Sequence, residues 1–302
     1  SSSTPAPRHT DRHLAVLVGG LGSSSNNAAI DNVDTGALGY APTDVMRFSY
    51  NGGTTKEHPY DPSDSTADIR QSGRRLRELL ERLTAENPGV PIDILAHSQG
   101  GLVAREALAD EIDPGSPALK SINSLVTLGT PHQGADLATA AKMIGESDGG
   151  QLVIDGVSLT GAPVEGTSVG QLAETSQFIR RLNERPLPAG VHVTSIGGRG
   201  DLVVPAGRTH LDGANNVIVP VPGLFDEHSQ LPGSDAAARE IALAQAGMPP
   251  TCQSFTDMVI DTATSDSIGW AEDTVATGAW LGARPFTVPP VLGWSTHERT
   301  NP

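Results

Sequence analysis

The chain has 302 residues, enough to bury a full core; at about 150 residues per domain this admits two domains or one large α/β domain. Twenty basic against 35 acidic side chains give a formal net charge of −15, a field that repels phosphate backbones and anionic membrane surfaces, so nucleic acid is not an expected partner. The single cysteine, Cys252, excludes an internal disulfide, a CxxC redox pair and every multi-cysteine metal site, and no apolar run reaches the ~18 residues needed to span a bilayer.

In chain order, residues 1–12 are rich in Ser, Thr and Pro and lack a hydrophobic signal core. They read as a flexible leader, which suits an exported, extracellular protein. Leu14-Ala-Val-Leu-Val18 is a short apolar run closed by Gly19-Gly-Leu-Gly22 and reads as a buried strand. Asp44–Tyr50 is the next strand candidate. Ile69, Leu76, Leu79, Leu80 and Leu83 then recur at helical spacing, with Ser65 and Asp68 as the expected capping pair and Asn87-Pro-Gly89 as the stop.

Pro91–Leu95 and Ile122–Leu128 read as strands, with a helix over Leu102–Leu108 between them. Val191–Ile196 and Asn216–Pro220 follow, and then a helix from about Asp235 to Ala246. Strands alternating with helices predict a mostly parallel sheet covered on both faces. Between these strands, residues 135–190 break the pattern. Asp136–Ile144 and Gln171–Leu182 read as two short helices, an insertion too long for an ordinary connection and expected to form a cap. Residues 248–302 carry Trp270, Trp280 and Trp294 and find no place on the sheet.

The chemistry-bearing segment is Ala96-His97-Ser98-Gln99-Gly100-Gly101, with a strand before it and a helix after it. Such a strand–turn–helix forces the serine into a strained conformation that exposes its hydroxyl at the sheet edge. Small residues on both sides are required because strand and helix approach closely there; Ala96 and Gly100 meet that need. The helix N-terminus adds its dipole and free N–H groups.

On these residues the chain resembles the lipase branch of the α/β-hydrolases, including triacylglycerol-lipase-like and GPI-inositol-deacylase-like members. The resemblance covers roughly residues 13–247. It rests on Val18-Gly-Gly-Leu-Gly22 at the place of the oxyanion loop, on Leu95–Val103 at the nucleophile elbow, on Leu128-Gly-Thr-Pro-His-Gln-Gly134, and on a cap-helix-like Phe178–Asn183. Gly19 stands where the family usually has His.

The resemblance implies an α/β-hydrolase fold with its core in residues 13–134 and 191–247 and a cap in 135–190. It also implies a triad in the order Ser98, Asp201, His228. Backbone N–H groups of Leu21 and Gln99 would hold the oxyanion, and Ile144 and Phe178 on the cap helices would line the acyl site, unless those helices simply pack on the sheet. His210 is the competing base and His132 the expected loop support.

The expected substrate is a small-molecule or lipid ester, and the expected state is a monomer without stable membrane insertion. No metal and no diffusible cofactor are expected for the chemistry, although some related lipases hold a structural calcium. An acyltransferase with the same triad, or a hydrolase-fold protein that only binds a lipid, are the alternatives. Gly20-x-Gly22 is also compatible with a phosphate loop, but Ser25 occupies the third glycine position and no Gly-Lys-Ser/Thr follows.

Overall fold

The computed structural model describes residues 11–109, 117–135, 168–221 and 227–251. The first ten residues, the helix expected over Asp136–Ile144, and the tail with Cys252 and the three tryptophans lie outside the described residues.

Six parallel strands form one sheet: β1 (Leu14–Val18), β2 (Val45–Arg47), β3 (Ile92–His97), β4 (Ile122–Leu128), β5 (His192–Arg199) and β6 (Asn215–Pro220), in the order β2-β1-β3-β4-β5-β6. The chain starts one strand in from an edge, steps outward to β2 at that edge, returns past β1 to β3 and continues to β6. A parallel sheet needs a crossover for every strand, so both faces are covered and the strands read as near-continuous apolar runs.

The two-residue alternation of β1 sorts its side chains between two cores. Leu14, Val16 and Val18 join the helix Ile69–Glu86 through Ile69, Leu76, Leu79 and Leu80. Ala15 and Leu17 join Leu95, Val126, Leu128 and, from the helix Asp235–Gln245, Ala237 and Ile241. Each fully buried Leu or Ile contributes roughly 1.5–3 kcal/mol relative to an exposed one.

Four sequence expectations change. β2 is Val45–Arg47; Phe48 N still donates to Leu17 O of β1 at 2.9 Å, while Phe48 turns to bridge Thr54 and Tyr50 Oη donates to Gly19 O at 2.8 Å. The segment expected as one helix, Gln171–Leu182, is two, Ser168–Leu172 and Gln177–Glu184. Ser176 starts the second, its hydroxyl accepting from Ile179 N at 3.1 Å. β5 runs on through Gly197, Gly198 and Arg199, paired with β6. Asp68 caps Ile69–Glu86 with Gln171 rather than with Ser65: Asp68 Oδ1 accepts from Arg70 N at 2.8 Å and Gln171 Oε1 from Ile69 N at 2.7 Å, while Ser65 is buried and faces elsewhere.

Asp93 is a carboxylate inside β3 and is fully buried. It accepts from Ser124 Oγ (2.6 Å), Asn123 Nδ2 (2.7 Å), His13 Nδ1 (2.8 Å) and Tyr40 Oη (2.9 Å). Burial alone would raise its pKa, but the His13, Ser124 and Asn123 donors hold it below the usual carboxylate range. This network staples the N-terminal ends of β3 and β4, leaving the opposite ends to present the loops.

Candidate active site

β3 ends at His97 and the helix Gln99–Ala107 begins one residue later. Ser98 makes the turn at φ 54° and ψ −132°, and among the described residues it is the one non-glycine with positive φ. L-residues avoid that region, at a cost of order 1–3 kcal/mol, so surrounding packing must enforce it. That packing is visible. A Cβ on Gly100 would lie 2.6 Å from the carbonyl oxygens of both Val18 and Gly19, and one on Gly20 would lie 2.8 Å from Ser98 Cβ. The loop after β1 is therefore pressed against the turn, and glycine at both positions is a steric requirement.

The departure at Gly19 has a local cause. A side chain there would meet Ser23 Oγ at 2.7 Å and Tyr60 Oη at 3.1 Å. Ser23 Oγ donates to Gly20 O (2.7 Å), and Tyr60 Oη sits 2.8 Å from Ser23 Oγ. Two hydroxyls fill the space that a histidine would need.

Asp201 follows β5 and is buried. Its Oδ1 accepts from Val203 N (2.9 Å) and Val204 N (2.8 Å), and its Oδ2 lies 2.8 Å from His228 Nδ1. An ionised carboxylate only accepts, so Nδ1 carries the proton and Nε2 of a neutral ring is left as an acceptor. His228 is the second residue of the short helix Glu227–Gln230 after β6 and is itself buried.

Serine, acid and imidazole thus all stand beyond the carboxyl ends of parallel strands, where open α/β sheets place their ligands. The structure brings Asp201 and His228 into contact. No hydrogen bond joins Ser98 Oγ to the His228 ring among the described residues; such bonds are often long without substrate and tighten only in the complex.

His97 links the two halves. Its ring centroid lies 4.6 Å from that of His228, and its Nε2 donates to His228 O at 3.0 Å. His132 is fully buried, with Nε2 at 2.9 Å from Thr127 Oγ1 and Nδ1 at 3.3 Å from Arg105 Nη1. Arg105 also donates to Leu182 O and Asn183 Oδ1, each at 2.9 Å, tying the helix Gln177–Glu184 to the loop at His132. Burial pushes the Arg105 guanidinium down to about 10. His210 is exposed and pairs with Asp212 at 3.1 Å, away from Asp201.

Phe178 is 4% exposed and belongs to the apolar cluster of the sheet, with Arg70 over its ring at 5.5 Å. These contacts are those of a helix packed on the sheet, one of the two readings of that helix. Ile144 lies outside the described residues. No group of three or more His, Cys, Asp or Glu is placed to hold a metal among the described residues. No helix among them is long and apolar enough to cross a membrane.

Burial lowers the pKa of His97 and of His132 well below the usual histidine value; the nearby His228 adds to it at His97, opposed in part by the bond to His228 O, and Arg105 and His210 add to it at His132. The folded chain keeps both rings neutral, whereas the unfolded chain protonates them below about pH 6.5. Stability is therefore fully present above about pH 6.5 and is lost at about 1.4 kcal/mol per pH unit for each ring as the pH falls below it. Urea midpoints measured from about pH 8 down to about pH 5 should show this decline, and His132→Gln should remove about half of its slope. A slope unchanged by that substitution contradicts the assignment.

A family model described only as a domain of unknown function, DUF7379, matches residues 66–145, which include the elbow. No curated protein matches the chain. Among solved structures, the mature form of the Bacillus licheniformis lipase BlEst2 aligns over 78% of this chain and 94% of its own, with 18% identity and a TM-score of 0.52. The propeptide form gives a TM-score of 0.54 at 19% identity over 82% of this chain, which spans 54% of that longer one. The Legionella pneumophila phospholipase PlaB gives 0.50 at 14% identity, over 85% of this chain and 63% of its own. At such identities the likeness is one of architecture, and a fold does not by itself assign a function. The parallel six-stranded sheet, its helical cover and these neighbours establish the α/β-hydrolase fold for this chain.

Proposed function

We propose that the chain is a serine carboxylic-ester hydrolase of the lipase/esterase type, working on an apolar acyl ester through Ser98, His228 and Asp201. The observation that carries this reading is the strained Ser98 at the end of β3, on the same sheet edge as a buried Asp201–His228 pair at 2.8 Å. The structural neighbours BlEst2, a lipase, and PlaB, a phospholipase, point the same way.

In this mechanism Ser98 Oγ attacks the ester carbonyl while His228 Nε2 takes its proton. Asp201 holds the ring in the required tautomer and stabilises the imidazolium. The negative oxygen of the tetrahedral intermediate accepts from the backbone N–H groups of Leu21 and Gln99, donors worth roughly 2.7–4 kcal/mol each in comparable sites. The imidazolium then gives its proton to the leaving alcohol, and an acyl group remains on Ser98. Water, deprotonated by the same histidine, attacks the acyl-enzyme and regenerates the free serine. In this reading residues 135–190 are the cap, and Ile144 and Phe178 are its candidate acyl-site residues.

A fluorophosphonate should label one residue, Ser98, and p-nitrophenyl esters should be hydrolysed with a preference for medium or long acyl chains over acetate. Ile144→Ala should shift that preference. Mapping the adduct by peptide mass spectrometry to a residue other than Ser98 overturns the assignment. A chain-length profile unmoved by Ile144→Ala removes the cap from the acyl site.

A further inference from the structure

We infer that Ser65 is a positioning residue that sets both backbone donors of the oxyanion site, an inference that rests on the hydrolase reading above. Ser65 lies in the 3₁₀ turn Pro62–Thr66, far from the elbow in sequence, and is fully buried. Its hydroxyl donates to Pro62 O at 2.6 Å and accepts from Gly22 N at 2.8 Å. Its carbonyl accepts from Gln99 Nε2 at 2.8 Å and from Ser168 Oγ at 3.4 Å. One residue therefore grips the loop after β1 and the first residue of the elbow helix at once.

The geometry gives these contacts their meaning. A peptide unit is planar, so fixing one of its polar atoms fixes the direction of the other. Gly20 O accepts from Ser23 Oγ at 2.7 Å, which turns the Leu21 N–H of the same unit to the opposite side. The next unit is pinned through Gly22 N by the Ser65 hydroxyl. Leu21 is held on both sides, and the loop is pressed on Ser98 through Gly20. On the other arm, Gln99 is fully buried, and its side-chain amide is anchored on the Ser65 carbonyl.

Oxyanion stabilisation depends on donors that are in place before charge develops. Ser65 touches neither substrate nor reacting atoms and acts through the two donor-bearing segments. Its hydroxyl serves one arm and its carbonyl the other, so two substitutions separate them. Ser65→Ala removes the acceptor for Gly22 N, and Gln99→Met removes the amide anchor while keeping length and apolar bulk. Ser168→Ala removes a contact to the same carbonyl that reaches neither donor segment.

Turnover of a p-nitrophenyl ester per site titrated with fluorophosphonate, together with inhibition by a trifluoromethyl ketone that adds to the serine, tests this. Ser65→Ala should lower kcat about 10–100-fold with KM nearly constant, and should weaken the ketone by the same factor as kcat/KM. Gln99→Met should lower kcat about tenfold, and Ser168→Ala should leave it unchanged. If Ser65→Ala does not fold, Gln99→Met with its ketone affinity decides alone. Wild-type kcat and ketone affinity in the folded variants, whatever their melting temperatures, overturn the role of Ser65. A wild-type chain that neither hydrolyses esters nor labels at Ser98 overturns the hydrolase reading itself.

Discussion

Ser98→Ala and His228→Ala are each expected to lower kcat on a p-nitrophenyl ester by roughly 10⁴–10⁶-fold, and the double variant should lose little more. The reason is that nucleophile and base act in one step. A serine hydroxyl without a base is a weak nucleophile at neutral pH, and a base without the hydroxyl has no proton to take. Removing either therefore abolishes the same transition state.

Asp201→Ala should cost about 10⁴-fold, because it releases the ring from the tautomer that leaves Nε2 free to accept. It also strands the N–H groups of Val203 and Val204, which donate to Asp201 Oδ1, so some stability will go with it. His210→Ala is the control: that ring is exposed on Asp212, and its loss should leave turnover unchanged. Steady-state rates on variants with native circular dichroism decide the matter. An inactive His210→Ala, or losses at Ser98 and His228 that multiply in the double variant, would show that the unit is drawn wrongly.

The elbow was legible in the sequence because its requirements are local: an apolar strand, small residues around one serine, and a helix within a few positions. The order Ser98, Asp201, His228 came instead from the resemblance to the lipase branch, and of these three the structure puts Asp201 and His228 in contact. What escaped reading depends on contacts between distant segments. Ser65 and Asp68 have the spacing of a capping pair, yet the Ser65 hydroxyl goes to Gly22 N, 43 residues away, because packing presents that donor first. Gly197 and Gly198 look like strand breakers; β5 passes through them paired with Ile218 and Val219 of β6, and glycine is needed at 197 because a Cβ there would lie 2.6 Å from Thr209 Oγ1. Asp93 sits in a run that reads as apolar, and its four donors come from three separate places in the chain, His13, Tyr40 and the pair Asn123–Ser124.

Gly100→Ala is expected to damage both stability and catalysis, in contrast to the same substitution elsewhere. Its Cβ would lie 2.6 Å from the oxygens of Val18 and Gly19 and 3.1 Å from Val18 C. These are backbone atoms at the end of β1, a strand paired on both sides with β2 and β3, so they cannot rotate aside as a side chain would. The helix must instead lift from the sheet edge. Overpacking of this kind costs typically about 1–3 kcal/mol, which lowers Tm by several degrees in a chain of this size.

The same displacement carries Gln99 away from the loop that bears Leu21 and moves Ser98 relative to His228. A shift near 1 Å in a catalytic constellation can cost about 10²-fold, so kcat should fall by about that factor at temperatures well below the new Tm. Gly36→Ala is the matched control. A Cβ there meets only Asp34 Oδ1 at 3.5 Å, an ordinary contact in a short helical turn, and neither Tm nor kcat should fall. Thermal melts and initial rates on the two variants separate the effects. A Gly100→Ala enzyme with lowered Tm but wild-type kcat would mean that the elbow can move without disturbing the donors, and the oxyanion assignment to Leu21 and Gln99 would have to be abandoned.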